Sequence, residues 1–234
     1  HQLLFIKPTD LSREHQIGMS AIVLHNVWEE LGRMAQMARD NVEQSFQAVL
    51  ERSSKRLETV GEREEYIDYL NKEIARYISH TIAYEENEAD SKAISSFFQI
   101  AGNLERIGDH AINLCEYTKR MEDERITFSD EAMKEMEEMK RISFQAFELF
   151  LPFDQIQRGN LQEISVLEQR IDEMTLHNRA MQIERMQDGV CEDNACILYS
   201  EMLTDFERIG DHLLNIGQIL DRLPDGFLET ETAE

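Results

Sequence analysis

Proline is nearly absent from this chain of 234 residues, at 3, and glycine is sparse, at 10. Folds built from many short strands need frequent turn residues. Their scarcity excludes an all-β fold and leaves long helices with few connections. Cysteine is scarce too. Cys115, Cys191 and Cys196 form an odd set, and the gap between the last two is not that of a zinc knuckle. A disulfide framework and a thiolate zinc site are excluded; reduced packing thiols in a cytosolic setting are expected. No apolar run approaches the ~18–20 residues of a membrane span, and Leu3-Leu4-Phe5-Ile6 is too short for a signal-sequence core. Positive charge is the last deficit: 24 Lys plus Arg against 47 Asp plus Glu, a net charge of −23. Such a surface argues against nucleic acid and direct bilayer binding, and favours cations and basic partners.

What remains is a hydrophobic fraction of 41% with 30% charged residues, which fits a packed helical protein. After a lead-in segment, 1–13, the apolar positions Ile17, Ala21, Leu24, Trp28, Leu31, Ala35, Ala38, Val42, Phe46 and Leu50 recur in steps of three and four. That spacing predicts one amphipathic helix over about 14–52, roughly 55 Å long. Ser53-Ser54 and Gly61 are read as a break. A second helix is expected over 62–84 and a third over 87–121. Ser129 then caps a fourth helix, which Pro152 ends or kinks. A fifth is expected over 161–186, closed by Asp188-Gly189, and a sixth over 193–223. The acidic stretch 224–234 reads as a disordered tail.

The plan therefore repeats. Glu105-Arg106-Ile107-Gly108-Asp109-His110 recurs as Glu207-Arg208-Ile209-Gly210-Asp211-His212, an offset of 102 (105 to 207). Upstream, Glu64, Ile67 and Asp68 recur as Glu168, Ile171 and Asp172, an offset of 104 (64 to 168). Two matches in the same order indicate internal duplication. The fold class expected is all-α: two similar three-helix bundles in tandem, 14–122 and 129–223.

Glu105 and Asp109 are four apart and leave the same helix face, as do Glu64 and Asp68 on the preceding helix. Packed side by side, the two helices would gather four carboxylates. The second half repeats the set with Glu168, Asp172, Glu207 and Asp211. With 47 acidic residues in the chain, one such pair means little. Equivalent places in both halves, and the repulsion between like charges at this spacing, make bound cations the better reading over bare surface charge. All-oxygen donor sets favour Mg²⁺, Mn²⁺, Ca²⁺ or iron, divalent or trivalent, with room for more than one ion. Asn113 and Asn215 extend the carboxylate stripe. His110 and His212 lie about 100° round the helix and are read as supporting or interhelix hydrogen-bonding residues. Arg106 and Arg208 are expected to pair with acids on the adjacent helix. Mid-helix Gly108 and Gly210 each cost ~1 kcal/mol against Ala, which close approach of a neighbouring helix or a metal cluster would offset.

The doubled Glu-Arg-Ile-Gly-Asp-His with its preceding Glu-x3-Asp resembles the PhoU family of phosphate-uptake regulators. Residues 103–118 and 205–217 carry most of the resemblance, which spans roughly 14–223. It implies two three-helix bundles, each binding a metal cluster through the eight carboxylates named above. Where stand-alone members open helix three with a Pro-Ala-x-Asp-Leu-Arg-like stretch, this chain has Glu88-Ala89-Asp90-Ser91-Lys92, and in the second copy Glu192-Asp193-Asn194-Ala195-Cys196. In this respect it is more similar to the PhoU-like domain fused behind the membrane part of bacterial Na⁺/phosphate cotransporters, and a start at His1 rather than Met suits an excised domain. The resemblance implies a non-enzymatic, cytoplasmic regulator of phosphate transport, tethered to the inner membrane through an N-terminal transporter domain or acting on a separate transporter, with a homodimer as a further option. The alternatives are a carboxylate-bridged metal enzyme (oxidase or phosphohydrolase) and a structural helical adaptor. The missing in-register Glu-x2-His weakens the oxidase, and the missing Gly-rich phosphate loop weakens a phosphotransferase.

Overall fold

A computed structural model describes residues 1–7, 20–82, 87–224 and 226–228. Six α-helices dominate: α1 Ser20–Glu51, α2 Leu57–Ile82, α3 Glu88–Asp123, α4 Asp130–Glu148, α5 Gln162–Gln187 and α6 Asp193–Asp221. Short 3-10 turns join α1 to α2 and α4 to α5. There is no β-sheet among the described residues. Helices α1–α3 form one bundle and α4–α6 the other. They lie side by side through α3 against α6 and α1 against α4.

The helix ends follow local chemistry. Asn87 caps α3 by accepting from Ala89 N–H, and Ser129 caps α4 by accepting from Ala132 N–H. Gly189, with φ +71°, follows α5 in the left-handed conformation that a helix C-terminus favours. α4 stops at Glu148, ahead of Pro152, which opens a 3-10 turn instead. Several boundaries differ from the sequence reading, among them the end of α3, at Asp123 rather than 121. Gly61 is not a break: the chain turns at Arg52, with φ 54°, and α2 already begins at Leu57. α6 ends at Asp221 rather than Leu223. The expected start of the first helix, from residue 14, lies outside the described residues, as do 83–86 and, in the expected disordered tail, 225 and 229–234. The described part of that tail is ordered instead: Leu228 is buried and Phe227 packs against Trp28 and Phe97, because apolar side chains there find the core.

One continuous core runs through both bundles. Leu24, Trp28, Leu31, Ala35, Ala38, Val42 and Phe46 supply the α1 stripe, and Met34, Met136 and Met139 fill it as apolar residues. Phe46 of α1 meets Phe206 of α6 edge-on at 6.2 Å, so aromatic contact crosses from one half to the other. A small satellite of Ala48, Val60 and Cys115 sits beside it, where burial pushes the Cys115 thiol up to about 11. All three cysteines are free. Residues 1–7 are pinned as well. Fully buried Glu30 accepts from the backbone N–H groups of Leu4 and Phe5 and pairs with Arg33 at 2.7 Å.

Candidate metal centres and the seam between the bundles

The carboxylates sit where a glycine on one helix meets an isoleucine on another. A Cβ built on Gly210 of α6 would lie 2.9 Å from Ile171 Cγ2 of α5, and one on Gly217 only 2.7 Å from Ile164 Cδ1. No side chain fits there unless the isoleucines move, so glycine is what lets α5 and α6 come this close. Glu168 and Asp172 flank Ile171, and Asp211 follows Gly210. The close approach therefore draws Glu168, Asp172 and Asp211 together, with one carboxylate oxygen from each within 4.8 Å of the others. All three are half-buried. Glu207, the fourth expected residue, is not part of this trio, though its charge still acts on Glu168.

The electrostatics match the crowding. Burial, then the charges of Asp172 and Asp211, hold the Glu168 carboxyl above its usual value. Asp172 Oδ1 is buried with no hydrogen-bond donor. Arg208 pairs with Asp211 at 3.1 Å, on its own helix and not on the adjacent one as the sequence suggested; the three-residue spacing makes that the shorter reach.

In the first half the same plan is looser. A Cβ on Gly108 would meet Ile67 at an ordinary 3.5 Å. The position matching Gly217 is Cys115, and that matching Ile164 is Val60. Glu64, Asp68, Glu105 and Asp109 face one another across α2 and α3. Burial first, then the charge of Asp109, raises both Glu64 and Glu105. Lys72 forms an ion pair with Asp68 and supplies part of the missing positive charge. Among the described residues, these four do not close to the spacing of the second trio.

Asn113 and Asn215 do not line the carboxylate clusters, and His110 and His212, read as supporting or interhelix hydrogen-bonding residues, bond between helices. Four residues advance a helix by about 40° beyond a full turn, so the stripe drifts off its face by residue 113. These side chains meet instead where α3 and α6 cross antiparallel. The His110 and His212 rings stack at 5.8 Å between centroids, close to the pseudo-two-fold axis that relates the halves. On one side of that axis the His110 Nδ1–H donates to Asp205 Oδ1 at 2.7 Å. Asp205 also accepts from Asn113 Nδ2 at 3.1 Å and from Tyr117 O–H at 2.7 Å. On the other side the His212 Nδ1–H donates to Asn103 Oδ1 at 2.9 Å, which also accepts from Asn215 Nδ2 at 3.2 Å. Asp205 is 5% exposed, so its charge is held by three donors rather than by water. Burial and the bond to Asp205 push the Tyr117 phenol up. Reading by motif missed Asp205 and Asn103. Setting the halves in register at the 102-residue offset pairs them directly.

A sequence profile of the PhoU domain matches residues 31–118, which lie in α1–α3. A Thermotoga maritima protein, the phosphate-specific transport system accessory protein PhoU homolog 1, is 30% identical over 162 residues, covering 67% of this chain and 68% of that protein. An Aquifex aeolicus PhoU homolog is 28% identical over 129 residues, covering 52% of this chain and 58% of the relative. Among solved structures, PhoU from Pseudomonas aeruginosa superposes with a TM-score of 0.78 at 20% identity, over 87% of this chain and 97% of that one. PhoU from Streptococcus pneumoniae gives 0.77 at 17% identity, over 88% of this chain and 97% of that one. These structures share its fold.

Proposed function

Because this chain belongs to the PhoU family, we propose that it is a metal-binding regulator of phosphate transport and not an enzyme. The observation that carries the metal reading is the approach of Glu168, Asp172 and Asp211 to within 4.8 Å of one another. The residues fit a hard cation. All donors are carboxylate oxygens, Glu168 is destabilised as an anion, and Asp172 Oδ1 is buried without a donor. Bound there, a cation supplies positive charge that an acidic surface otherwise lacks. Glu168, Asp172 and Asp211 would hold it, and the charge of Glu207, outside the trio, also acts on Glu168. Glu64, Asp68, Glu105 and Asp109 would hold a second ion or cluster, more weakly because Lys72 already pairs with Asp68. Mg²⁺, Mn²⁺, Ca²⁺ and iron all suit such donors.

The partner in this reading is a phosphate transporter, since the named relatives are accessory proteins of phosphate-specific transport systems. The acidic openings of α3 and α6 support the narrower reading of a cytoplasmic domain belonging to a Na⁺/phosphate cotransporter. Among the described residues, no helix is long and apolar enough to cross a membrane.

The test is metal analysis of protein purified without added metal, alongside Asp109→Asn plus Asp211→Asn. Wild type should carry metal and the double variant should lose most of it while staying helical. In cells the same variant should change the control of phosphate uptake. Full metal content in the variant would reduce the carboxylates to surface charge, and turnover of a phosphoester by wild type alone would make the chain an enzyme.

A further inference from the structure

The seam between α3 and α6 has two rims related by the pseudo-two-fold axis, and three positions change chemistry between them. Glu201, Asp205 and Glu116 on one rim are replaced at the 102-residue offset by Gln99, Asn103 and Gln218 on the other. Each is a carboxylate exchanged for the amide of the same shape. The arginines do not change: Arg120 and Arg208 on the acidic rim correspond to Arg222 and Arg106 on the amide rim. On the acidic rim Arg120 pairs with Glu201 at 2.8 Å. Across the axis Gln99 stands in place of Glu201, and Arg222 makes only an Nε–H bond to the Gln218 carbonyl, at 2.9 Å. Among the described residues, neither Arg106 nor Arg222 has a carboxylate within 4 Å.

The amide rim is also concave. A groove of about 410 Å³ runs along it, and no Asp or Glu among the described residues lines it, although the chain has 47 of them. Arg106, Arg222 and His212 are joined there by Asn103, Asn215 and the two glutamines. Phe98, 52% exposed, also lines it. We propose that this groove binds a phosphate-bearing small molecule. The two guanidiniums would hold the phosphate oxygens, the amides would donate to them, and the Phe98 ring offers a face for an attached planar group. Guanidinium forks and amide N–H groups are the donors that match an oxyanion. The volume exceeds what orthophosphate needs and falls in the range of small-molecule sites. A net charge of −23 does not forbid this. At physiological salt, charges more than about 8 Å away are largely screened, so the bulk of the acidic surface is not felt in the groove, and of the nearby acids Glu105 adjoins Arg106 and Asp211 adjoins His212 without lining it. The site does not involve the carboxylate centres, and its failure would leave the metal reading intact.

The test is calorimetric titration of the full chain, metal-free after chelation and dialysis, at 0.15 M salt. The probes are pyrophosphate and adenosine 5′-monophosphate, the first a free phosphate and the second an ester with a planar group. At least one should bind at one site per chain. Arg106→Gln plus Arg222→Gln should weaken binding tenfold or more. Gln99→Glu plus Gln218→Glu, which copies the acidic rim, should weaken it at least as much, with an unchanged circular-dichroism spectrum. Arg120→Gln, on the acidic rim, should stay within twofold of wild type. Tighter binding of the ester would identify the physiological ligand as an organic phosphate, and tighter pyrophosphate binding as a free one. Absence of binding by both probes at millimolar concentration, or equal binding by the arginine double variant, would overturn the proposal.

Discussion

The two bundles use one helical plan at two different spacings. In the second, Gly210 and Gly217 bring α6 against Ile171 and Ile164 so closely that an added Cβ would collide. In the first, Gly108 touches Ile67 at ordinary distance, and Cys115 takes the place of the second glycine. Carboxylates follow the backbone. The tight pair gathers three within reach of one ion, and the loose pair leaves four facing one another with a lysine among them. The seam repeats the lesson, with a buried carboxylate at Asp205 and an amide at Asn103. Duplication preserved the scaffold while the chemistry of the two copies separated.

The largest effect should come at the seam. Asp205→Ala would leave the His110, Asn113 and Tyr117 donors without their acceptor and should cost about 3 kcal/mol, whereas Asn103→Ala should cost only about 1 kcal/mol. Urea unfolding of both variants measures this, and equal losses would erase the asymmetry. Chelation comes next. If metal is held at about a hundred times its Kd, removing it costs about 2.7 kcal/mol, which lowers the melting temperature by roughly 5–10 °C at this size. Asp172→Asn plus Asp211→Asn should abolish most of that response, and Asp68→Asn plus Asp109→Asn less of it; the reverse order would make the looser centre the stronger one.

Glycine substitutions sharpen the comparison of spacing. Gly217→Ala should cost about 1–3 kcal/mol through overpacking against Ile164. Gly108→Ala, which has room, should be neutral or stabilising by up to about 1 kcal/mol through helix propensity. Similar losses at both sites would refute the difference in approach. The smallest effect is on pH dependence. Glu168 is raised from its ordinary 4.5 in the folded state, so it costs no stability below that pH. The penalty grows as pH rises through the raised value, because the folded chain must release a proton it holds more tightly than the unfolded chain does. Metal-free Glu168→Gln should therefore gain on wild type as pH rises from 4.5 toward neutrality, and denaturant midpoints across that range would show a flat difference if the crowding is unimportant.

Helix number, the halving of the chain and the Ser129 cap were legible because periodicity and a capping serine are local signals, whereas the Asn87 cap appeared only in the structure. Gly61 misled because glycine marks a turn only when its conformation requires one, and here it lies within the opening turns of α2. The carboxylates could be named from the repeat, but which of them would close up depended on Cβ-scale contacts with Ile164 and Ile171. The expected role of Asn113 and Asn215 failed for a geometric reason: steps of four drift round a helix, and two steps carried them from the carboxylate face to the seam. Glu30 gave no signal at all, since a carboxylate that binds the backbone of a distant segment looks like any other acid in the sequence.

The core that continues from α1 into α6 through Phe46 and Phe206 has a thermodynamic consequence. Neither half can expose its interior without stripping apolar cover from the other, so the chain should melt as one cooperative unit with a calorimetric enthalpy equal to its van't Hoff enthalpy. If each bundle holds an ion as proposed, its release from one would be felt as lost stability in both, through one shared unfolding equilibrium. Two resolved heat-absorption peaks would show instead that the halves answer independently.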